Sequence, residues 1–287
     1  MIRAAQPEDD AALRAFLAEH IETSMFLLGN LEAHGIGNMS HPHGTRYLLH
    51  HSEGRITGVF GCTNGGYLMC QHPGISVATA RAYLGQLAGR VVQGITGAAD
   101  QVAVFLQALP FASAAWHLDR VEPLFSRAVT PSPPPAACLR APTGADKAML
   151  ESWFAAHLTE TGFHDASSAP THSSDRAQAA IASGRTRLLD GPDRAPVGMT
   201  SINARAGDAV QIGGVHVLPD WRGRGYAGQM VAAHLAELHA TGIRRAILFA
   251  ASDAAARAYR RIGFTRVGTY RVAILRQPCL LHAGGAT

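Results

Sequence analysis

The chain has 287 residues, of which 47% are hydrophobic and 16% charged, and its net charge is +4. This composition supplies enough apolar side chains for a folded core and excludes a disordered chain. The positive charge comes from scattered arginines, without the Lys/Arg run that follows a nucleic-acid backbone, so no nucleic-acid partner is expected. At roughly 150 residues per domain, the length predicts two domains.

Targeting and metal-binding signals are not expected in this chain. Its first residues include Glu8 and Asp9, where a signal peptide would place its apolar core, and the apolar stretches are too short to span a bilayer. We therefore expect a cytoplasmic protein without a membrane partner. The cysteines show neither CxxC pairing nor zinc-ligand spacing, so no metal is expected. They are Cys62, Cys70, Cys138 and Cys279.

A proline-rich segment divides the chain near its middle. The run Ser132-Pro133-Pro134-Pro135 can continue neither a helix nor a central strand. We therefore predict an N-terminal domain at 1–130, a linker at 131–137 and a C-terminal domain at 138–287.

The two halves repeat one pattern when Arg3 is set against Arg140. Asp9 then meets Asp146, and apolar positions and histidines of the following helix also coincide. Further along, Gly58 meets Gly198 after a small change of offset, each glycine in a hairpin. We interpret the halves as copies of one strand–helix–hairpin unit. Two unrelated domains with generic helix and strand patterns are the alternative.

The second half predicts a regular succession of elements. In chain order these are a helix from about Asp146, strands at 186–189, 197–204 and 210–218, a helix at 225–240, a strand at 246–249, a helix at 254–262 and a strand at 265–275. This order predicts an α/β (α+β) fold in which each domain has a mixed, mostly antiparallel sheet flanked by helices.

A glycine loop lies where one of these strands meets a helix. Gly223 and Gly225 follow the strand that ends near Leu218, and they open the helix at 225–240. Such a helix start presents several unpaired backbone N–H groups to one point, and glycine lets the backbone approach an anion closely. A diphosphate suits this site best, with Arg222 and Arg224 adding positive charge.

A resemblance to the GNAT superfamily of acyl-CoA N-acyltransferases rests on two motifs in the right order. The family's Gln/Arg-x-x-Gly-x-Gly/Ala loop is matched by Arg222-Gly223-Arg224-Gly225-Tyr226-Ala227. Its Asn-x-x-Ala-x-x-x-Tyr-x-x-x-Gly-Phe pattern is matched by Ser252, Ala255, Tyr259, Gly263 and Phe264. The resemblance covers roughly residues 139–275 and, more loosely, the first half. Neither a Walker A loop nor a Rossmann fingerprint occurs here.

The resemblance implies a role for each matched position. The backbone of Val215 and Val217 would hold the pantetheine arm of coenzyme A, with a contribution from Ser252, and the loop 222–227 would hold the diphosphate. The N–H of Val217 would polarise the thioester carbonyl. Tyr259 would protonate the departing thiolate. For Tyr259 the alternative is an ordinary core tyrosine, because its neighbours also fit a packing face.

The sequence departs from the family pattern at the base and at the pantetheine contact. Ser252 stands where the family usually has Asn, and Gln211 stands where some members have a glutamate base. Because Gln cannot accept a proton, His216 and Glu160 are the candidates for the base. A structural histidine and a solvated carboxylate are the alternatives for these two residues.

The resemblance implies an N-acetyltransferase that uses acetyl-CoA as co-substrate. A small-molecule or peptide amine would attack the bound thioester directly in a ternary complex, because no cysteine is placed as an acyl relay. In place of the glycine–arginine loop, the first half has the sequence His-Pro-Gly-Ile-Ser-Val at 72–77. We therefore expect the N-terminal domain to be a degenerate copy of the C-terminal one. A CoA-binding regulatory or structural module without turnover is the alternative, as is transfer of a longer acyl or aminoacyl group.

Overall fold

The chain forms two compact units in a computed structural model that describes residues 1–131, 138–163 and 169–282. The first unit comprises Met1–Glu122 and Gly268–Thr287, and the second comprises Pro123–Val267. Residues 132–137 of the expected linker lie outside the described residues. No helix of the described ranges is long and apolar enough to cross a membrane.

The elements are numbered in chain order. The strands are β1 Ile2–Ala4, β2 Thr45–Ser52, β3 Arg55–Thr63, β4 Tyr67–Gln71, β5 Val91–Ala98, β6 Trp116–Ala128, β7 Leu139–Arg140, β8 Thr186–Asp190, β9 Pro196–Ala206, β10 Ala209–Val217, β11 Arg245–Phe249 and β12 Thr265–Leu280. The helices are α1 Asp10–Glu19, α2 Ile21–His34, α3 Val77–Gly85, α4 Ala99–Ala108, α5 Lys147–Glu160, α6 Ala169–Ser183, α7 Tyr226–Ala240 and α8 Asp253–Arg261.

In the first unit the strand order is β1-β2-β3-β4-β5-β12. The β4–β5 pair is parallel, and the other pairs of this unit are antiparallel. Its core includes the stacked rings of Phe60 and Phe105, whose centroids are 4.3 Å apart, with Tyr83 beside them. All three side chains are fully buried.

In the second unit the order is β6-β11-β10-β9-β8-β7, and only β10 and β11 run parallel. One apolar layer combines α7 and α8 with Val210 and Ile212 of β10. Another combines α5 and α6 with Leu188 and Met199 of the neighbouring strands. The sheet thus carries helices on both faces, which confirms the predicted mixed, mostly antiparallel α/β fold.

Both halves of the chain begin with the same local structure. Arg3 donates to both carboxylate oxygens of Asp9 at 2.6 Å, and Arg140 does the same to Asp146 at 2.9 and 2.8 Å. In each copy, the N–H three residues before the aspartate also donates to its Oδ2. The arginine is the largest cause that lowers the pKa of Asp9 to about 2 and lowers that of Asp146 as well. The repeated pairs fall at the positions that the sequence register aligns.

Two segments pair outside the domain that their position in the chain predicts. In β12, Tyr270 lies opposite Ala98 of β5, so the C-terminal strand completes the sheet of the first unit. In β6, Leu124 lies opposite Phe249 of β11, so this strand completes the sheet of the second unit. The units therefore divide the chain differently from the predicted domains 1–130 and 138–287. Strand propensity marks a segment as a strand but does not select its partner.

Candidate functional site

A β-bulge opens one edge of β10. Its parallel pairing with β11 extends from Ala209 to Ile212 within the described residues, whereas its antiparallel pairing with β9 continues to Val217. The register with β9 shifts between Gly213 and His216, and Gly214 has φ +58°. A bulge with a left-handed residue bends the strand, and glycine adopts that conformation without strain. Beyond Ile212, β10 therefore diverges from β11.

The peptide groups of Val217 face this open edge. The N–H of Leu218 donates to the carbonyl of Val197 on β9 at 3.0 Å. Because peptide groups alternate in direction along an antiparallel strand, the N–H and C=O of Val217 point away from β9. Val215, two residues earlier, is half-buried and packs against the α7 and α8 layer. The structure thus puts the peptide groups of Val217 where a bound chain could pair with the strand.

The glycine loop leads from β10 into α7 at the surface. Gly223 and Gly225 have φ values of +78° and +80°, and Gly225 is the N-cap of α7. Residues 222–225 are exposed, and no side chain among the described residues caps this helix end. The first N–H groups of α7 have no acceptor within the helix. The positive end of the helix dipole lies at the same place. This arrangement can bind an anion.

The two loop arginines contact the protein itself. Arg222 donates from Nε to the carbonyl of Val217 at 2.9 Å, and from Nη2 to Oε1 and Oε2 of Glu160 at 2.8 and 3.0 Å. The guanidinium of Arg224 stacks over Trp221 at 4.8 Å. The candidate anion site therefore consists mainly of backbone groups, and the side chain of Arg222 connects the loop to β10 and α5.

His216 packs against α5, close to the carboxylate of its last residue, Glu160. The histidine is 4% exposed, and its ring centroid is 5.9 Å from that of Trp153 and 6.2 Å from that of His157. Its Nδ1 is 4.0 Å from Oε2 of Glu160. Burial lowers the pKa of His216, Glu160 acts in the opposite direction, and Arg222 lowers the pKa further. The structure thus brings together both candidates for the base.

Tyr259 lies on α8, in the other helical layer. It is 6% exposed, and its ring centroid is 6.1 Å from that of Phe264. Gly228 of α7 lets the helices pack closely, because a Cβ there would lie 3.3 Å from Cγ2 of Ile262. The helix that carries Tyr259 is therefore held directly against the helix that begins at the glycine loop.

Ser252 and Gln211 make contacts within the protein. The hydroxyl of Ser252 accepts a hydrogen bond from the N–H of Ala255 at 3.2 Å and so caps α8. Gln211 is 2% exposed and donates from Nε2 to the carbonyl of Ile212 at 2.7 Å. Its Oε1 has no hydrogen-bond partner among the described residues. Gln211 is thus a buried structural amide in this conformation.

The corresponding region of the first unit has no such loop. β4 pairs with β5 from Tyr67 to Cys70, one residue short of the end of β4. The N-cap of α3 is Ser76, whose hydroxyl accepts a hydrogen bond from the N–H of Thr79 at 3.1 Å. The start of α3 is thus capped by its own side chain, in contrast to that of α7.

The bulge was not anticipated from the sequence, although it opens the edge of β10. Its signal was present, because Gly213 and Gly214 are adjacent in the interior of a strand, where glycine often marks a bulge. The contact between Glu160 and Arg222 joins residues 62 positions apart, and no local pattern indicates it. Among the described residues, no group of three or more His, Cys, Asp or Glu side chains is arranged to hold a metal.

Comparisons with known proteins agree with this geometry. Residues 150–264 match the acetyltransferase (GNAT) family model. No curated protein matches the sequence. Among solved structures, the GCN5-related N-acetyltransferase from Sphaerobacter thermophilus is 17% identical, with a TM-score of 0.54, over 100% of this chain and 96% of that chain. A Drosophila protein is 13% identical, with a TM-score of 0.59, over 96% of this chain and 98% of that one. At these identities the likeness concerns the fold.

Proposed function

Because residues 150–264 form a domain of the acetyltransferase (GNAT) family, we propose that the chain is an acyl-CoA-dependent N-acetyltransferase. It transfers an acetyl group from acetyl-CoA to a primary amine of a small molecule or peptide. The amine attacks the bound thioester directly in a ternary complex.

The start of α7 carries this proposal. The first N–H groups of α7, which follow two left-handed glycines in an exposed loop, suit the diphosphate of coenzyme A, since that group is doubly charged and needs close backbone approach. The loop from Arg222 to Ala227 holds the diphosphate, chiefly through its backbone. The pantetheine arm lies along the open edge of β10 and pairs with the outward peptide groups of Val215 and Val217. Ser252 borders the arm from the start of α8.

Acyl transfer then requires a donor for the developing oxyanion and an acid for the leaving group. The N–H of Val217 points toward the open edge of β10 and polarises the thioester carbonyl. Tyr259, held against α7 by the packing of α8, protonates the CoA thiolate with its hydroxyl. Both assignments place the reaction at the end of β10, beside the diphosphate loop.

A CoA-binding module without turnover is the second candidate. It is favoured by Gln211, whose buried amide cannot accept a proton at the position where a glutamate would serve as base. Calorimetry with acetyl-CoA and a thiol-release assay with a panel of primary amines separate the two. Binding with thiol release supports the enzyme, whereas tight binding without release from any amine supports the module.

Gly225→Val tests the anion site itself. A β-branched side chain at φ +80° forces the loop out of its conformation, so acetyl-CoA binding should be lost. Gly242→Val is the matched control, because Gly242 follows the other end of α7 with φ +93° and has open space around it. Unchanged affinity in Gly225→Val, or equal loss in both variants, would refute the proposed diphosphate site.

A further inference from the structure

The open edge of β10 has ionisable side chains on both faces of the sheet. Val215 packs into the same layer as Tyr259. Since side chains alternate along a strand, His216 points to the opposite face, where it meets Trp153 and His157 of α5. A thioester at this edge would therefore have Tyr259 on one side and an imidazole on the other.

The carboxylate of Glu160 lies beside this imidazole. Oε2 faces Nδ1 at 4.0 Å, which favours the tautomer that carries its proton on Nδ1 and leaves the lone pair of Nε2 to accept one. The distance exceeds that of a direct hydrogen bond, and catalytic hydrogen bonds are often long in the absence of substrate. Arg222 holds the same carboxylate through both oxygens, so Glu160 is anchored to the loop that binds the co-substrate.

We propose that His216 is the catalytic base and that Glu160 is its positioning residue, a proposal that rests on the proposed function. As the amine nitrogen bonds to the acyl carbon, Nε2 of His216 takes the proton that this nitrogen loses. The carbon–sulfur bond breaks, and the sulfur receives a proton from the hydroxyl of Tyr259. The products are the amide and free CoA thiol, and solvent returns the proton from His216 to Tyr259.

The electrostatic surroundings suit this role. Burial lowers the pKa of His216, so the imidazole is neutral near pH 7 and able to accept a proton. Glu160 raises the pKa and stabilises the imidazolium that forms, whereas Arg222 lowers it. The titratable and charged groups that face His216 are thus His157 and Glu160 from α5 and Arg222 from the loop.

Nitrogen NMR of histidine-labelled full-length protein tests the arrangement without any acceptor. The resonances missing from His216→Gln identify the ring. We expect the neutral ring to carry its proton on Nδ1, and we expect Glu160→Gln to lower its pKa further, because the carboxylate raises it. A proton on Nε2, or a pKa that Glu160→Gln does not change, would overturn the proposal.

Kinetics with acetyl-CoA and ethanolamine, tyramine or glucosamine test the chemical role. His216→Gln should lower kcat about 100-fold or more and remove the acidic limb of the kcat/KM profile. His157→Gln, an exchange of the neighbouring imidazole, should retain that limb. If the wild-type protein released no thiol with any of these amines, the proposed function would fail. If the wild type turned over and His216→Gln matched it, only the role of His216 would fail.

Discussion

The carbonyl of Val217 accepts a hydrogen bond from Nε of Arg222 at 2.9 Å, so the first residue of the proposed diphosphate loop holds the last residue of β10. Nη2 of the same guanidinium contacts both carboxylate oxygens of Glu160. One side chain thereby ties three parts of the proposed site together: the loop, the strand edge and the end of α5.

Arg222→Lys should weaken acetyl-CoA binding more than it weakens folding. A lysine ammonium cannot reproduce the forked contact to a carbonyl and a carboxylate, so the strand edge and the loop lose their fixed relation. The exposed ion pair itself contributes at most about 1 kcal/mol to stability. Calorimetry should show affinity reduced about tenfold, with a melting temperature close to that of the wild type.

Arg187→Lys is the matched control for this exchange. Arg187 of β8 pairs with Glu237 of α7 at 2.7 Å, away from the first turn of that helix. Its exchange should leave acetyl-CoA affinity unchanged. Equal losses of acetyl-CoA affinity in the two variants would mean that Arg222 acts through the general stability of α7. The proposal that Arg222 fixes the loop relative to the strand edge would then be wrong.

Tyr259→Phe should separate catalysis from binding. The exchange keeps the ring that packs beside Phe264 and removes only the hydroxyl, so acetyl-CoA affinity should stay within about twofold. Loss of the acid should lower kcat about 100-fold. Steady-state kinetics and calorimetry on the same preparation provide both quantities. A variant that lost affinity and turnover in equal measure would indicate a structural tyrosine.

The helices of this fold are largely predictable from the sequence. The helix expected at 225–240 is observed at Tyr226–Ala240, because glycines mark both of its ends. Helix α6 was not anticipated, since Ala169–Ser183 is rich in small and polar residues and lacks a clear apolar stripe. Periodicity therefore finds helices that bury a wide apolar face and misses those that do not.

Strand partners and side-chain constellations are less predictable. The strand expected at 265–275 is observed at Thr265–Leu280, but its pairing with β5 depends on contacts with residues far away in the chain. The same holds for the group formed by Glu160, His216 and Arg222, in which each residue alone has an ordinary structural explanation. Motif spacing predicts the loop and the tyrosine as site residues, whereas only the fold brings the carboxylate beside the imidazole.

The chain should bind a single molecule of acetyl-CoA. In the first unit, Ser76 caps α3 with its own hydroxyl. The backbone donors proposed to bind an anion at α7 are therefore partly satisfied at the corresponding helix of the first unit. Calorimetry should report one site per chain, and Gly225→Val should abolish the binding signal completely. A second site, or a residual signal of half size in Gly225→Val, would show that the first unit also binds the co-substrate.

Stability should fall in mildly acidic solution, partly through His234. This histidine of α7 is 1% exposed, and burial lowers its pKa from 6.5 to about 4. The unfolded chain therefore binds the proton more readily than the folded chain, so the contribution is complete above pH 6.5 and is lost as the pH falls toward 4. The loss amounts to about 3 kcal/mol at most. In urea unfolding at a series of pH values, His234→Leu should show a shallower decline over this window, whereas Met230→Leu on the same buried face should decline like the wild type. An unchanged slope in His234→Leu would mean that the imidazole is not buried in its neutral form.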